Sequence, residues 1–142
     1  TRSADGVISQ NPAPREMRNV MALAFRENGD LWAGTDAGLY LHRRSSRRWE
    51  RWRHALADPR NGVNEFLRRA DGSVWTATSG CIVVHHEDGT QTTFDHVPGG
   101  ELTELTGLAE DASGGVWTTS GSAFVGAWRW DGKTWRHCGA AD

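Results

Sequence analysis

The stretch Asn28-Gly-Asp-Leu-Trp-Ala-Gly-Thr-Asp-Ala-Gly-Leu-Tyr40 holds a polar-glycine turn, a short run centred on Trp32 and a second glycine corner. Extended backward to Val20, its first half recurs twice more without a gap. The copies read Val20-Met-Ala-Leu-Ala-Phe-Arg-Glu-Asn-Gly-Asp-Leu-Trp32, Val63-Asn-Glu-Phe-Leu-Arg-Arg-Ala-Asp-Gly-Ser-Val-Trp75 and Leu105-Thr-Gly-Leu-Ala-Glu-Asp-Ala-Ser-Gly-Gly-Val-Trp117. The tryptophans are spaced by 43 and 42 residues. A period of about 40–45 residues built from short strands and glycine turns is that of β-propeller blades, four-stranded sheets that need neighbours to cover their faces. The fold class expected is therefore all-β: a propeller with three four-stranded blades per chain.

Each repeat divides into four strands. An apolar run ends near Phe25, Leu67 or Ala109, and a turn follows at Asn28-Gly29, Asp71-Gly72 or Ser113-Gly114, where a small polar residue and glycine suit a tight hairpin. The second strand carries the tryptophan and ends at Thr35, Thr78 or Ser120. Third strands are read over Leu39 to His42, Cys81 to His85 and Ala123 to Trp130; fourth strands over Trp49 to Trp52, Gln91 to Phe94 and Thr134 to His137. Blades are thus expected at about 18–53, 61–95 and 103–138, with loops from His54 to Asn61 and from His96 to Thr103 and residues 1–17 as an N-terminal extension or clasp. A helical reading fails because Gly, Thr and β-branched residues interrupt every candidate segment.

Composition narrows the function classes. The 142 residues carry 16 basic and 18 acidic side chains, a net charge of −2 that gives no general attraction to nucleic acid or membrane. The longest apolar run, about Val20 to Phe25, is far short of a membrane span, and residues 1–6 lack the apolar stretch of a signal peptide. A soluble domain is expected, its compartment unspecified. Cys81 and Cys138 fall in different repeats and read as inert thiols rather than a disulfide framework. The six histidines show no metal-ligand spacing, and there is no nucleophile elbow or phosphate loop. No metal or cofactor is expected, and the balance leans toward a protein that is not an enzyme.

The pattern of polar-glycine turn, Leu/Val-Trp, small residue, Thr and then Gly-Leu resembles the two-component regulator propeller repeat family, best in Asn28 to Tyr40 and in outline over about residues 18–138. Repeats two and three depart from it, with Ala77-Thr78-Ser79-Gly80-Cys81 and Thr119-Ser120-Gly121-Ser122 in place of the Gly-Thr pair. The resemblance implies a sensor-type propeller that recognises ligands such as glycans or packs against other propellers. No kinase or helical transmitter accompanies these repeats.

An open arc of three blades would leave two apolar faces in water, so a ring completed by homo-oligomerisation is expected: a dimer giving six blades ahead of a trimer giving nine. Trp32, Trp75 and Trp117 are read as packing between blades. Trp128, Trp130 and Trp135, in Trp-Arg-Trp-Asp-Gly-Lys-Thr-Trp, resemble the repeats of small propeller lectins and form an alternative sugar-stacking set, although the motif occurs once. Arg43, Arg44, Arg47, Arg48, Arg51 and Arg53, interleaved with Trp49 and Trp52, would suit single-stranded nucleic acid, but charge on an outer strand also prevents edge pairing, and that account is preferred.

A ligand site is placed at the channel mouth, where the loops entering the first strands meet the corners after the second strands. Arg18, Asn19, Asn61, Asn64, Glu104 and Thr106 come from the first set, and Asp36, Ser79 and Ser122 from the second. The functional expectation is a non-enzymatic module binding a small polar ligand or another protein. A carbohydrate-binding propeller is the alternative, followed by a lyase-like enzyme with its site at the mouth.

Overall fold

The computed structural model describes residues 12–52 and 62–139. Three four-stranded antiparallel sheets follow one another, each with its strands in chain order. The first is β1 (Val20–Phe25), β2 (Leu31–Thr35), β3 (Gly38–Arg43) and β4 (Arg48–Trp52). The second is β5 (Val63–Arg68), β6 (Val74–Thr78), β7 (Ile82–His85) and β8 (Gln91–Phe94). After a two-stranded ladder, β9 (His96–Val97) with β10 (Gly100–Glu101), the third is β11 (Leu105–Glu110), β12 (Val116–Ser120), β13 (Ala127–Trp130) and β14 (Trp135–Cys138). This is the all-β, four-stranded architecture of propeller-type proteins. The expected loop from His54 to Asn61 lies outside the described residues. Of the segment 1–17, residues 1–11 also lie outside them, and Met17 N–H closes a turn onto the Pro14 carbonyl at 3.0 Å.

Registers repeat with the sequence. Trp32, Trp75 and Trp117 stand opposite Ala24, Leu67 and Ala109, and each inner strand bulges at its second residue. The hairpin turns hold Gly29, Gly72 and Gly114 at φ of 80°, 79° and 82°, the left-handed region glycine enters without steric cost.

Two strand readings change. The loop His96 to Thr103 contains the β9–β10 ladder because Pro98-Gly99 makes a reverse turn, Gly99 supplying φ 87°. It delivers Val97 and Leu102, 8% and 0% exposed, to the apolar core. β13 begins at Ala127 rather than Ala123. There Ser120 Oγ accepts the Ser122 and Ala123 N–H groups at 3.3 and 2.8 Å, which withdraws two donors from the ladder.

The core lies in two seams between successive sheets. In the first, Trp32, Leu39 and Leu41 pack with Val63 and Val74 of the second sheet, and the Trp32 ring meets Phe66 and His85 at 6.0 and 4.5 Å. In the second, Trp75, Ile82, Val84 and Phe94 meet Leu105, Val116, Trp128 and Trp135. Trp32 and Trp75 thus pack between sheets as read from sequence. Trp117 differs: it is half-buried, because no described sheet faces it. An arginine lies against each of these rings, Arg26, Arg69 and Arg129 at 5.5, 5.9 and 5.9 Å from the centroids. Such contacts add a modest cation–π attraction to the area covered. The exposed pair Arg68–Glu27 also bridges the first seam, where screening leaves such pairs little net value.

Aspartates brace the hairpin end of the sheets. Asp30 accepts the Arg44 N–H at 2.9 Å and an Arg43 side-chain N–H at 3.2 Å. Asp111 accepts from Trp117 Nε1 at 2.8 Å, Arg129 Nε at 2.7 Å and the Ser113 and Gly115 N–H groups, both at 2.9 Å. The Arg129 hydrogen bond, followed by those from Ser113, Trp117 and Gly115, holds its carboxyl well below the ordinary aspartate value of 3.8. A depressed folded value means the stabilisation is complete above the unfolded value and is lost as pH falls through the folded one. Asp111→Asn should therefore melt below the wild type at neutral pH, with the gap narrowing as pH falls below 3.8. Thermal melts of both proteins across pH 2 to 7 check this, and a gap independent of pH would refute it.

Candidate functional site

The end opposite these hairpins gathers the strand entries and the corners between second and third strands. A hydroxyl closes each second strand. Thr35 Oγ1 donates to the Gly38 carbonyl at 2.8 Å and accepts from Ala37 N–H at 3.1 Å; Thr78 Oγ1 donates to the Cys81 carbonyl at 2.9 Å and accepts from Gly80 N–H at 3.2 Å. Ser120 takes this role in the third sheet. These buried or half-buried hydroxyls turn the chain sharply, leaving Asp36, Ser79 and Ser122 exposed on one rim.

Backbone bonds hold the rim, one of them across two sheets. Ser79 N–H donates to the Gly62 carbonyl at 3.0 Å, Glu104 N–H to the Ser79 carbonyl at 2.8 Å, and Gly121 N–H to the Glu104 carbonyl at 2.9 Å. The side chains follow: Asn19 Nδ2 donates to Asp36 Oδ2 at 2.7 Å, and the Ser122 hydroxyl donates to Glu104 Oε2. Asn19 and Glu104 occupy equivalent strand-entry positions and are held at φ of 39° and 51°. Non-glycine residues in that region are sparsely populated, and such backbone is found preferentially at functional positions.

The expected site residues divide into those that share the rim and those that do not. Asn19, Asp36, Ser79, Glu104 and Ser122 come together there, linked as described. Thr106 is exposed beside them, its hydroxyl 3.2 Å from that of Thr119. Asn64 turns into the second seam instead, its Nδ2 donating to the Leu105 carbonyl at 2.7 Å. Arg18 is exposed, and its N–H bonds to the Glu16 carbonyl at 3.0 Å. Asn61 lies outside the described residues. Among the described residues no group of three His, Cys, Asp or Glu side chains is arranged to hold a metal ion.

Trp128 and Trp135, at 9% and 6% exposure, belong to the second-seam core rather than to a surface. Trp130 is half-buried with its ring 4.8 Å from Phe94. Trp130 and Trp135 lie against Phe94 and each other, and Trp128 lies against His137 at 5.0 Å, so these rings are packed rather than laid open as a platform. The arginine cluster is likewise partly committed. Arg43 binds Asp30 and Glu50, and Arg51 donates to the Ala37 carbonyl at 2.8 Å, while Arg53 lies outside the described residues. Cys81 is buried and bonded with Thr78, and burial pushes its thiol up from its ordinary value.

Sequence reading overlooked one feature at the hairpin end, an open depression of about 830 Å³ lined by Asn28, Asp30, Arg43, Arg44, Ser45 and Glu50. Its acids and Arg43 satisfy one another, which leaves it close to charge-balanced. The paired Asp30 and Arg43 were visible as residue types, but only the β3 register brings them within 3.2 Å.

The fold and rim define a propeller-type repeat protein. No family model matches the sequence, and no curated protein matches it. Among solved structures, it is similar to virginiamycin B lyase from Staphylococcus aureus, with 16% identity, a TM-score of 0.67 and coverage of 87% of this chain and 42% of the other. A protein described as a gluconolactonase gives 18% identity and a TM-score of 0.66, covering 97% of this chain and 54% of that one. The extracellular domain of a hybrid two-component system protein from B. thetaiotaomicron gives 18% identity and a TM-score of 0.70, covering 95% of this chain and 18% of the other. The chain thus spans about half or less of each of these structures. At such identities the likeness shows fold alone. Enzymes and sensor domains both stand among the neighbours, and no helix among the described residues is long and apolar enough to cross a membrane.

Proposed function

We infer that this chain is a non-enzymatic recognition module of the propeller type, binding a small polar ligand or a segment of another protein at the rim, and that it self-assembles into a closed ring. The observation that carries the first part is the rim itself. Asn19–Asp36 and Ser79–Glu104–Ser122 draw hydrogen-bonding groups from all three sheets to one end, on backbone held in a costly conformation at Asn19 and Glu104. A dimer would present this set twice around a six-bladed ring and a trimer three times around a nine-bladed one; the dimer lies within the usual range of blade numbers.

Protein-observed NMR against small polar molecules, oligosaccharides and short peptides tests the rim. Shifts should cluster at Asp36, Ser79, Glu104 and Ser122, and the double variant Asp36→Ala, Glu104→Ala should weaken binding by about tenfold or more, since each lost charge-assisted hydrogen bond is worth about 1.5–3 kcal/mol. Shifts confined to Asn28, Arg44 and Glu50 would move the site to the opposite end. Lyase-like chemistry is the second reading, favoured by the lyase neighbour and by two exposed carboxylates on the rim. Turnover of a bound molecule, abolished by the same double variant, would replace the binding reading with it.

A further inference from the structure

Resting on the self-assembly reading, we propose that the ring closes head to tail through one defined seam, in which β11 and β12 of one copy pack on β1 of a second copy as the sheets within the chain pack on each other. The register makes the comparison direct. Val20, Val63 and Leu105 are equivalent, as are Leu23, Phe66 and Leu108. Val63 and Leu105 are 0% exposed beneath the preceding sheet, whereas Val20, Leu23 and Phe25 are 47%, 60% and 63% exposed. On the opposite side, Ala24 and Leu67 pack into seams beside Trp32 and Trp75, while the equivalent Ala109 is exposed beside a half-buried Trp117. Among the described residues, no sheet covers β1 and none lies on the outer face of β11 and β12.

The two ends also match in chemistry. Asn64, the bulge residue of β5, donates to the Leu105 carbonyl across the second seam, and Thr106, the bulge residue of β11, carries a hydroxyl able to donate to the Val20 carbonyl of a second copy. Arg69 lies against Trp75 and then pairs with Glu110 of the next sheet at 2.8 Å. Arg129 lies against Trp117, but Asp111 already neutralises it at 2.7 Å. A carboxylate would be redundant there, and the residue equivalent to Glu110 in the first sheet is Phe25, whose ring suits a guanidinium face. Arg129 and Ala127 stand where the first two sheets offer Leu41 and Leu39, or Val84 and Ile82. This seam is consequently less apolar than the internal ones, and assembly should depend on concentration.

The test is absolute mass by light scattering after size exclusion, from micromolar to millimolar chain, for the wild type, Leu23→Asp and Ala109→Arg. Both substituted positions are exposed, so the fold should persist, as circular dichroism would verify; Phe25→Lys and Thr119→Lys replace any variant that unfolds. The expected result is a wild-type mass rising to a multiple of 15.7 kDa, with each variant weakening association by at least about tenfold. Dissociation by only one variant would indicate a different pairing and overturn the head-to-tail seam. Assembly that survives both variants would overturn the seam while leaving self-assembly intact. A wild type fixed at 15.7 kDa throughout would overturn both.

Discussion

Trp32→Ala is expected to remove about 3–5 kcal/mol of stability, the cost of truncating a large aromatic side chain in a packed core. Trp32 is 1% exposed and touches both sides of the first seam: Trp52 at 6.2 Å within its own sheet, Phe66 and His85 in the next. Neither sheet can close the space alone, because Leu39 and Leu41 are held by the β3 ladder and Val63 and Val74 by the second sheet. Urea unfolding followed by tryptophan fluorescence and circular dichroism reads the loss. A change below about 1 kcal/mol would mean that the seam collapses around the gap and does not hold the sheets in register. Trp117→Ala should cost the single chain much less, since that ring is only half-buried.

Gly34→Ala should destabilise as well, although alanine normally stabilises a strand relative to glycine. A Cβ at position 34 would lie 2.5 Å from Val63 Cγ1 and 2.8 Å from the Val63 carbonyl oxygen, and the latter is backbone with no freedom to retreat. Overpacking of this kind costs about 1–3 kcal/mol. The equivalent positions carry Ala77 and Thr119, so of the three sheets only the first places a glycine there. Equilibrium denaturation of Gly34→Ala checks the sign, and Gly34→Ala combined with Val63→Ala should recover part of the loss. A stabilised single variant would show that the first seam is looser than this geometry.

The repeat made most of the fold readable. Trp32, Trp75 and Trp117 at near-constant spacing, with a polar-glycine turn before each, marked the hairpins because turn chemistry and strand alternation are local properties. The β9–β10 ladder was less accessible: two residues on each side of Pro98-Gly99 carry no periodicity. Residues 123–126 read as strand but extend the corner begun at Gly121, because the Ser120 hydroxyl, rather than a neighbouring strand, takes the Ser122 and Ala123 N–H groups. Strand order alone is enough to bring Asn19, Asp36, Ser79, Glu104 and Ser122 to one rim. Sequence could not foresee that Asn64 spends its amide on the Leu105 carbonyl, because that depends on how two sheets dock. Trp128, Trp130 and Trp135 looked like a binding motif in one dimension, but the contacts of Trp130 and Trp135 with Phe94 and the burial of Trp128 are set by the second seam.

Strand order follows chain order in all three sheets, and among the described residues no strand is exchanged between them. Every ladder within a sheet therefore closes through a short hairpin, which keeps the loop entropy of each step small, while the contacts between sheets come mainly from side-chain docking. Folding kinetics should then separate into rapid formation of each sheet and slower capture of one sheet by the next. Such a chain can be lengthened or shortened by whole repeats without rethreading any strand, so its stability is set by nearest-neighbour terms along a one-dimensional array.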